Sequence, residues 1–379
     1  MRILHTVEFY EPRRGGAEEV VKQLSERLAA LGHEVVVATT YDPRRAGYIG
    51  GVKIEQFRIA GNAAMGLRGS QAEIRRYHEL LGSGFDVVMN YAAQSWTTDL
   101  ALQSLYSISA KKVLVPCGYS GLHNPRYREY FAVLPEKLKA YDALVYMGKE
   151  YQDILWGREH GLRDREVYIP NGAAAEEFLG ADIYNFKKRF AVTTPHMALC
   201  VSNHYRAKGH SFVIEAFRKM HRADTTLVII GAPFVATGLL RKLAHFALDY
   251  CGCFFASLFN RRIKLISTND RRAVVSAYRG ADVFLFGSEV ECAPLVMYES
   301  FASKTPFITR RVGNVGDHAQ DLKIISSTEE MARVANSILD DAETGKEIAA
   351  RAHLTWEKNH QWSAIAATYQ DLYTRLSSK

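Results

Sequence analysis

The chain alternates short apolar runs with amphipathic helical stretches, and it does so in two successive cycles, a rhythm that few folds satisfy. In the first cycle, residues 2–7 read as a strand and Gly15-Gly16 as a turn. Residues 18–31 follow as a helix with Val20, Val21, Leu24, Leu28 and Leu31 on one side. Gly32-His33 ends that helix and residues 34–39 begin the next strand, which makes a βαβ unit. Further strands are expected at 52–57, 86–90, 112–116, 143–147 and 166–169, with helices at 71–81, 96–106 and 135–140. Apolar runs of this kind, separated by helices, mark a mostly parallel sheet buried on both faces. Pro170-Asn171-Gly172 is a turn signal and a domain boundary. The cycle then restarts with strands at 197–201, 226–231, 264–267, 282–286, 306–309 and 322–325 and helices at 211–220 and 271–278. Two helical segments at 327–349 precede an amphipathic stretch over 353–376 whose Trp356, Trp362, Ile365, Tyr369, Leu372 and Tyr373 need a surface to cover. The expectation is α/β: two Rossmann-like, doubly wound domains in tandem.

At 379 residues the chain exceeds what one hydrophobic core usually serves, and its 47% hydrophobic content excludes a disordered chain. The formal charge of +7 favours anionic ligands without choosing among nucleotides, phosphorylated acceptors, nucleic acid and anionic lipid. Residues 1–7 run into Glu8 and Glu11 without the apolar stretch of a signal peptide, so a cytoplasmic protein is expected. Five cysteines, at 117, 200, 251, 253 and 292, suggest reduced thiols rather than a disulfide framework. Cys251-Gly252-Cys253 lacks the second ligand pair of a four-sulfur zinc site. The apolar segment 239–262 is too interrupted by charge to span a bilayer, but its flanking Arg241-Lys242 and Arg261-Arg262 suit peripheral contact with a membrane. Burial as a helix pair against the second domain fits it equally.

Candidate chemistry concentrates in three places. Glu291 and Glu299 follow the apolar run 281–286, so that one carboxylate is expected at a strand-to-helix turn and the other about two turns along the helix, where both can face one polyhydroxylated ligand; a capping acid with an unrelated surface glutamate is the alternative reading. Arg206 and Lys208 follow the first strand of the second domain and are expected to project where open sheets bind ligands; a guanidinium fork and a mobile ammonium suit a diphosphate, and a solvated basic loop is the alternative reading. Gly15 and Gly16 open a helix whose amides can meet an anion, although the dinucleotide fingerprint is absent and a purely structural turn reads the same way.

Gly15-Gly16-Ala17-Glu18, Ile169-Pro170-Asn171-Gly172, Arg206-Ala207-Lys208-Gly209, the Glu291-x7-Glu299 pair with Ser300 to Pro306, and Val312-Gly313-Asn314-Val315-Gly316 together resemble the retaining family 4 glycosyltransferases of the GT-B fold, also called glycosyl transferases group 1. The resemblance spans nearly the whole chain. It implies a first Rossmann-like acceptor domain (1–172) and a second, nucleotide-sugar domain (173–355) facing it across a cleft. A C-terminal helix (356–379) is implied to cross back to the first domain. It implies that Glu291 contacts hydroxyls of the transferred sugar, Glu299 the ribose, and Arg206 and Lys208 the donor diphosphate. Gly15, Gly16, Leu295, Asn314 and Val315 are then donor-binding, and Cys117 stands near the sugar where many relatives carry a histidine. Other departures are Ser202 where relatives carry an arginine, Lys304 in place of a glycine, and Ala174 in place of an aspartate.

Implied with these is a metal-independent hexosyltransferase with no cofactor beyond its nucleoside diphosphate sugar, and no Asp-x-Asp for a metal is found. The acceptor is expected to be a saccharide or lipid-linked, in cell-surface polysaccharide or glycolipid assembly, at the inner face of the cell membrane. An acceptor zone is expected around Tyr10, Arg13, Arg14, His123, Arg126, Tyr127, Arg128 and Tyr130, while His5 and His33 read as structural. A sugar-nucleotide epimerase and a non-catalytic carbohydrate-binding protein of the same fold are the competing readings. Scattered positive charge without a reading motif speaks against nucleic acid.

Overall fold

The computed structural model describes residues 1–13, 15–232 and 243–378 and divides the chain into two compact units. Unit 1 comprises Met1–Asn171 with Trp362–Lys379, and unit 2 comprises Gly172–Gln361. In unit 1, strands β1 (Arg2–Thr6), β2 (Glu34–Thr40), β3 (Tyr48–Ile49), β4 (Val52–Phe57), β5 (Ala60–Asn62), β6 (Gly66–Arg68), β7 (Val87–Tyr91), β8 (Lys111–Val115), β9 (Ala143–Tyr146) and β10 (Glu166–Tyr168) occur in chain order. Eight of them form one sheet, β10-β9-β8-β7-β1-β2-β4-β3, parallel except at the β3–β4 edge, and β5–β6 is a separate hairpin.

Unit 2 carries β11 (His196–Val201), β12 (Thr225–Gly231), β13 (Ile263–Ser267), β14 (Val283–Phe286), β15 (Phe307–Arg310) and β16 (Lys323–Ile325) in a parallel sheet ordered β13-β12-β11-β14-β15-β16. Because strand side chains alternate between faces, Leu199, Val228 and Phe284 pack with Met297, Tyr298 and Phe301 on one side. Ala198, Cys200, Leu227 and Leu285 pack with Val213, Phe217 and Met331 on the other. Both sheets are covered on both faces, and the doubly wound α/β expectation holds.

The order in which strands are added reverses between β1 and β7 in unit 1 and between β11 and β14 in unit 2. At such a switch point the flanking connections diverge and leave a crevice beyond the carboxyl ends of the strands, where open α/β sheets bind ligands.

Several elements differ from the sequence reading. The helix expected at 135–140 runs instead from Arg128 to Leu138 with Pro135 inside it. Proline reads as a helix start, but here the ring lies within a continuous helix held by Phe131, Leu134 and Leu138 in the core. Helix Trp96–Ala101 ends early and continues as a short 3-10 turn, and helix Gln152–Glu159 carries too weak a stripe to be seen.

The amphipathic stretch over 353–376 is two helices, Ala342–Asn359 in unit 2 and Trp362–Ser377 in unit 1. The break comes where the His360 carbonyl accepts from the Ala173 amide at 3.0 Å and the Trp356 indole donates to the Ala173 carbonyl at 3.2 Å. Within unit 1, helix Trp362–Ser377 packs on helix Gly16–Ala30. The Tyr373 hydroxyl lies 3.1 Å from Nε2 of fully buried His5, whose Nδ1 lies 2.8 Å from Ser25 Oγ.

Among the described residues no helix is long and apolar enough to cross a membrane. Helix Cys251–Phe259 buries Cys253 and Ala256 against unit 2 and leaves Phe254, Phe255, Leu258 and Phe259 exposed. Arg241 and Lys242, expected to flank this segment, lie outside the described residues.

Candidate active site

In unit 2 the loop after β11 folds back as a 3-10 turn over Arg206–Lys208, closed by the Lys208 amide donating to the Tyr205 carbonyl at 2.8 Å and the Gly209 amide to Arg206 at 3.1 Å. Gly209 has φ +65°, and a Cβ there would run into the Gly287 carbonyl; only glycine permits this approach. The loop after β14 is thereby pressed onto the basic loop. The Glu289 amide donates to the Ala207 carbonyl at 2.8 Å and the buried Ser288 hydroxyl donates to the same oxygen at 3.2 Å.

Two loops fastened in this way bring Lys208 Nζ to 2.7 Å from Glu291 Oε1 at the β11/β14 switch point. Arg206 lies exposed on the same turn. Glu299 sits on helix Leu295–Ala302, which follows the same loop, with Leu295 half-buried in its first turn. The Glu299 side chain is 9% exposed and meets Arg271 Nη1 at 2.7 Å, while the other edge of Arg271 grips Glu177 through Nε at 3.0 Å and Nη2 at 2.6 Å. Arg271 was not singled out by the sequence; its only signal is its place at the start of a helix capped by Asp270.

Asn314 and Val315 are buried. The Asn314 amide donates to the Cys292 carbonyl at 2.9 Å, which ties their turn to the residue after Glu291, and the Asn314 side-chain amide donates to the Tyr298 hydroxyl at 2.8 Å. Val315 belongs to the apolar core, so this turn has its backbone, not these side chains, to offer a ligand.

Gly15 and Gly16 stand in unit 1 after β1, at the entrance to helix Gly16–Ala30. A Cβ on Gly16 would meet nothing within 4 Å, so packing does not account for this glycine. Cys117 follows β8 with φ +56°, and the next two amides, of Gly118 and Tyr119, donate to the buried Asp153 carboxylate at 2.6 and 2.9 Å. Burial pushes Asp153 up to about 6, against the pull of those two amides.

The expected acceptor zone is partly corrected. Tyr10 is fully buried, so its ring cannot stack on a sugar. Arg13 lies 3.5 Å over the Phe9 ring, the Tyr127 hydroxyl accepts from Asn62 at 3.0 Å, and His123, Arg126 and Arg128 are exposed. Arg14 lies outside the described residues.

Glu8, just past the carboxyl end of β1, was read only as interrupting an apolar run. Burial pushes its carboxyl up to about 7, Arg13 opposes the shift, and Glu18 and Asp99 add to it. A carboxyl of this kind exchanges protons near neutrality.

Residues 14–177 match Glycosyltransferase Family 4, and residues 183–355 match Glycosyl transferases group 1. The phosphatidylinositol N-acetylglucosaminyltransferase GPI3 subunit of Saccharomyces cerevisiae is 19% identical over 98% of this chain and 82% of its own length. The phosphatidyl-myo-inositol mannosyltransferase of Mycolicibacterium smegmatis is 24% identical over 96% of this chain and 91% of its own. The crystal structure of HepE from Anabaena in complex with UDP-glucose superposes over all of both chains with a TM-score of 0.78 at 15% identity. Strand order in both units, the two family matches that together run from residue 14 to residue 355, and these relatives agree: the chain belongs to the family 4 glycosyltransferases and has the GT-B fold.

Proposed function

We propose that the protein transfers a hexosyl group, with retention of anomeric configuration and without a catalytic metal ion, from a nucleoside diphosphate sugar to a lipid-linked hydroxyl acceptor at the cytoplasmic face of a membrane. The observation that carries the donor half is the Lys208–Glu291 pair at the β11/β14 switch point. A donor entering there exchanges that contact for two others: Lys208 and Arg206 turn to the diphosphate and Glu291 accepts from sugar hydroxyls. Glu299, already oriented by Arg271, takes the ribose, with Leu295 and the backbone at Asn314 and Val315 bordering the nucleotide.

In the transfer, the bond between the anomeric carbon and the phosphate oxygen breaks as the acceptor oxygen bonds to the same face of that carbon. The acceptor proton passes to the departing phosphate oxygen. Charge gathering on that phosphate is met by fixed cations, which cost no reorganisation as the bond breaks. The UDP-glucose bound by HepE supports a uridine nucleotide as the first donor to try.

Both curated relatives act, by name, on phosphatidylinositol, which favours a lipid acceptor over a soluble saccharide. The exposed Phe254, Phe255, Leu258 and Phe259, beside Arg261 and Arg262, suit insertion among anionic headgroups.

A panel of UDP-, GDP- and ADP-sugars, scored by thermal shift and by turnover without added Mg²⁺ or Mn²⁺, identifies the donor. Lys208→Ala is expected to lose about 100-fold or more in kcat while keeping its fold; wild-type turnover in that variant sinks the assignment. An inverted product removes the retaining mechanism, and turnover of donor alone to an isomeric nucleotide sugar replaces the transferase with an epimerase. Phe255→Asp with Phe259→Asp is expected to reduce cosedimentation with phosphatidylinositol vesicles, and unchanged binding rules out this face.

A further inference from the structure

In unit 2, three side chains of metal-ligating type converge from three elements. His204 comes from the loop after β11, His210 is the first residue of helix His210–Lys219, and Cys253 lies in the first turn of helix Cys251–Phe259. Their ligand atoms all lie within 4.8 Å of one another, and the residues are 4%, 4% and 2% exposed.

The histidine rings stand 4.8 Å apart at 32°, and Tyr250 closes one side with its ring edge-on to His204 at 4.8 Å. Space for the His204 ring is provided by Gly231, the last residue of β12, where a Cβ would come within 2.7 Å of the imidazole. Ser202 Oγ lies 2.9 Å from Nε2 of His210, a contact that fixes the rotation of that ring as outer partners of metal ligands do. Cys253 belongs to an apolar cluster with Val213, Ile214 and Ala256, and an apolar residue would fill any of the three buried places at lower desolvation cost.

We propose that His204, His210 and Cys253 bind a tetrahedral transition-metal ion, zinc by ligand class, which fastens the basic loop of unit 2 to helix Cys251–Phe259. Two imidazoles and a thiolate form a borderline-soft set suited to Zn²⁺, and the fourth position falls to water. Ligand atoms around zinc stand about 3.3 to 3.8 Å apart, so shifts of roughly 1 Å close the set. Uptake replaces the thiol proton of Cys253 with the metal, and that proton leaves to solvent. Arg206 and Lys208 lie between the two histidines in sequence, so the ion pins both ends of the turn that carries them. Cys251, whose thiol faces the Ala247 carbonyl at 3.0 Å, takes no part.

The test uses the full chain without a histidine tag, offered Zn²⁺ or Co²⁺ and passed through gel filtration. Elemental analysis is expected to find one zinc per chain. The cobalt form is expected to show tetrahedral d–d bands and a thiolate charge-transfer band in the near ultraviolet. Cys253→Ser should abolish the charge-transfer band and His204→Gln should lower the zinc content, while Cys251→Ser leaves both unchanged. A wild-type chain that retains only traces of metal, or a cobalt spectrum that lacks the thiolate band or keeps it in Cys253→Ser, overturns the proposal.

Discussion

Gly209 and Gly16 look alike in the sequence, as glycines beside phosphate-binding candidates, and the structure separates them. Gly209 is required by the fold: φ is +65° and the Gly287 carbonyl occupies the place of a Cβ. Gly209→Ala is expected to destabilise unit 2 by about 1–3 kcal/mol, read from denaturant midpoints, and to blunt the thermal shift with donor because Lys208 loses its seat. Gly16 stands in open space at the first turn of its helix, so Gly16→Ala is expected to change stability by less than about 1 kcal/mol. A large loss of turnover in Gly16→Ala at unchanged stability assigns that glycine to the ligand, and full turnover removes it from the site.

At the scale of elements, His5 is the knot of unit 1, since β1 carries it, helix Gly16–Ala30 supplies Ser25 and helix Trp362–Ser377 supplies Tyr373. Burial lowers the His5 imidazole to about 3 from its ordinary 6.5. The unfolded chain therefore takes up a proton below 6.5 that the folded chain refuses, and the contribution is whole above pH 6.5 and lost as pH falls towards 3. Between pH 6.5 and 5 the cost is about 2 kcal/mol. Glu8 acts with the opposite sign, because its raised carboxyl favours the folded state at low pH and that advantage fades from 4.5 to 7. Denaturation of wild type and His5→Gln at both pH values cancels the shared Glu8 contribution; equal pH slopes in the two would refute the role given to His5.

Elements buried on both faces were the legible ones: β2, β7, β9 and β14 are nearly continuous apolar runs with no solvent side to dilute them. Helix Arg128–Leu138 was half hidden because Pro135 carries a local signal that tertiary packing overrides. The site divides in the same way. Lys208 and Glu291 announce themselves by loop position and motif, whereas the partnership of Glu299 with Arg271, and of Cys253 with two distant histidines, is created by strand order and has no local signature.

For the whole molecule, the decisive fact is that unit 1 is built from two separated stretches of chain, with unit 2 lying between them in sequence. Removing residues 362–379 strips Ile365, Tyr369, Leu372 and Tyr373 from the unit 1 core. Full burial of each such side chain stabilises by about 1.5–3 kcal/mol, and the sum is comparable to the whole stability of a domain. The truncated chain is expected to lose the cooperative unfolding of unit 1 while unit 2, whose donor residues are all retained, still shows a thermal shift with nucleoside diphosphate. Two intact transitions after truncation would contradict this division.

The same division sets a timetable at the ribosome. Residues 1–171 emerge first yet wait for a helix encoded some 190 codons later, roughly 10 to 40 s at ordinary elongation speeds. The middle of the polypeptide matures before its beginning does, and through that interval a nascent sheet with one uncovered flank is what a chaperone would meet.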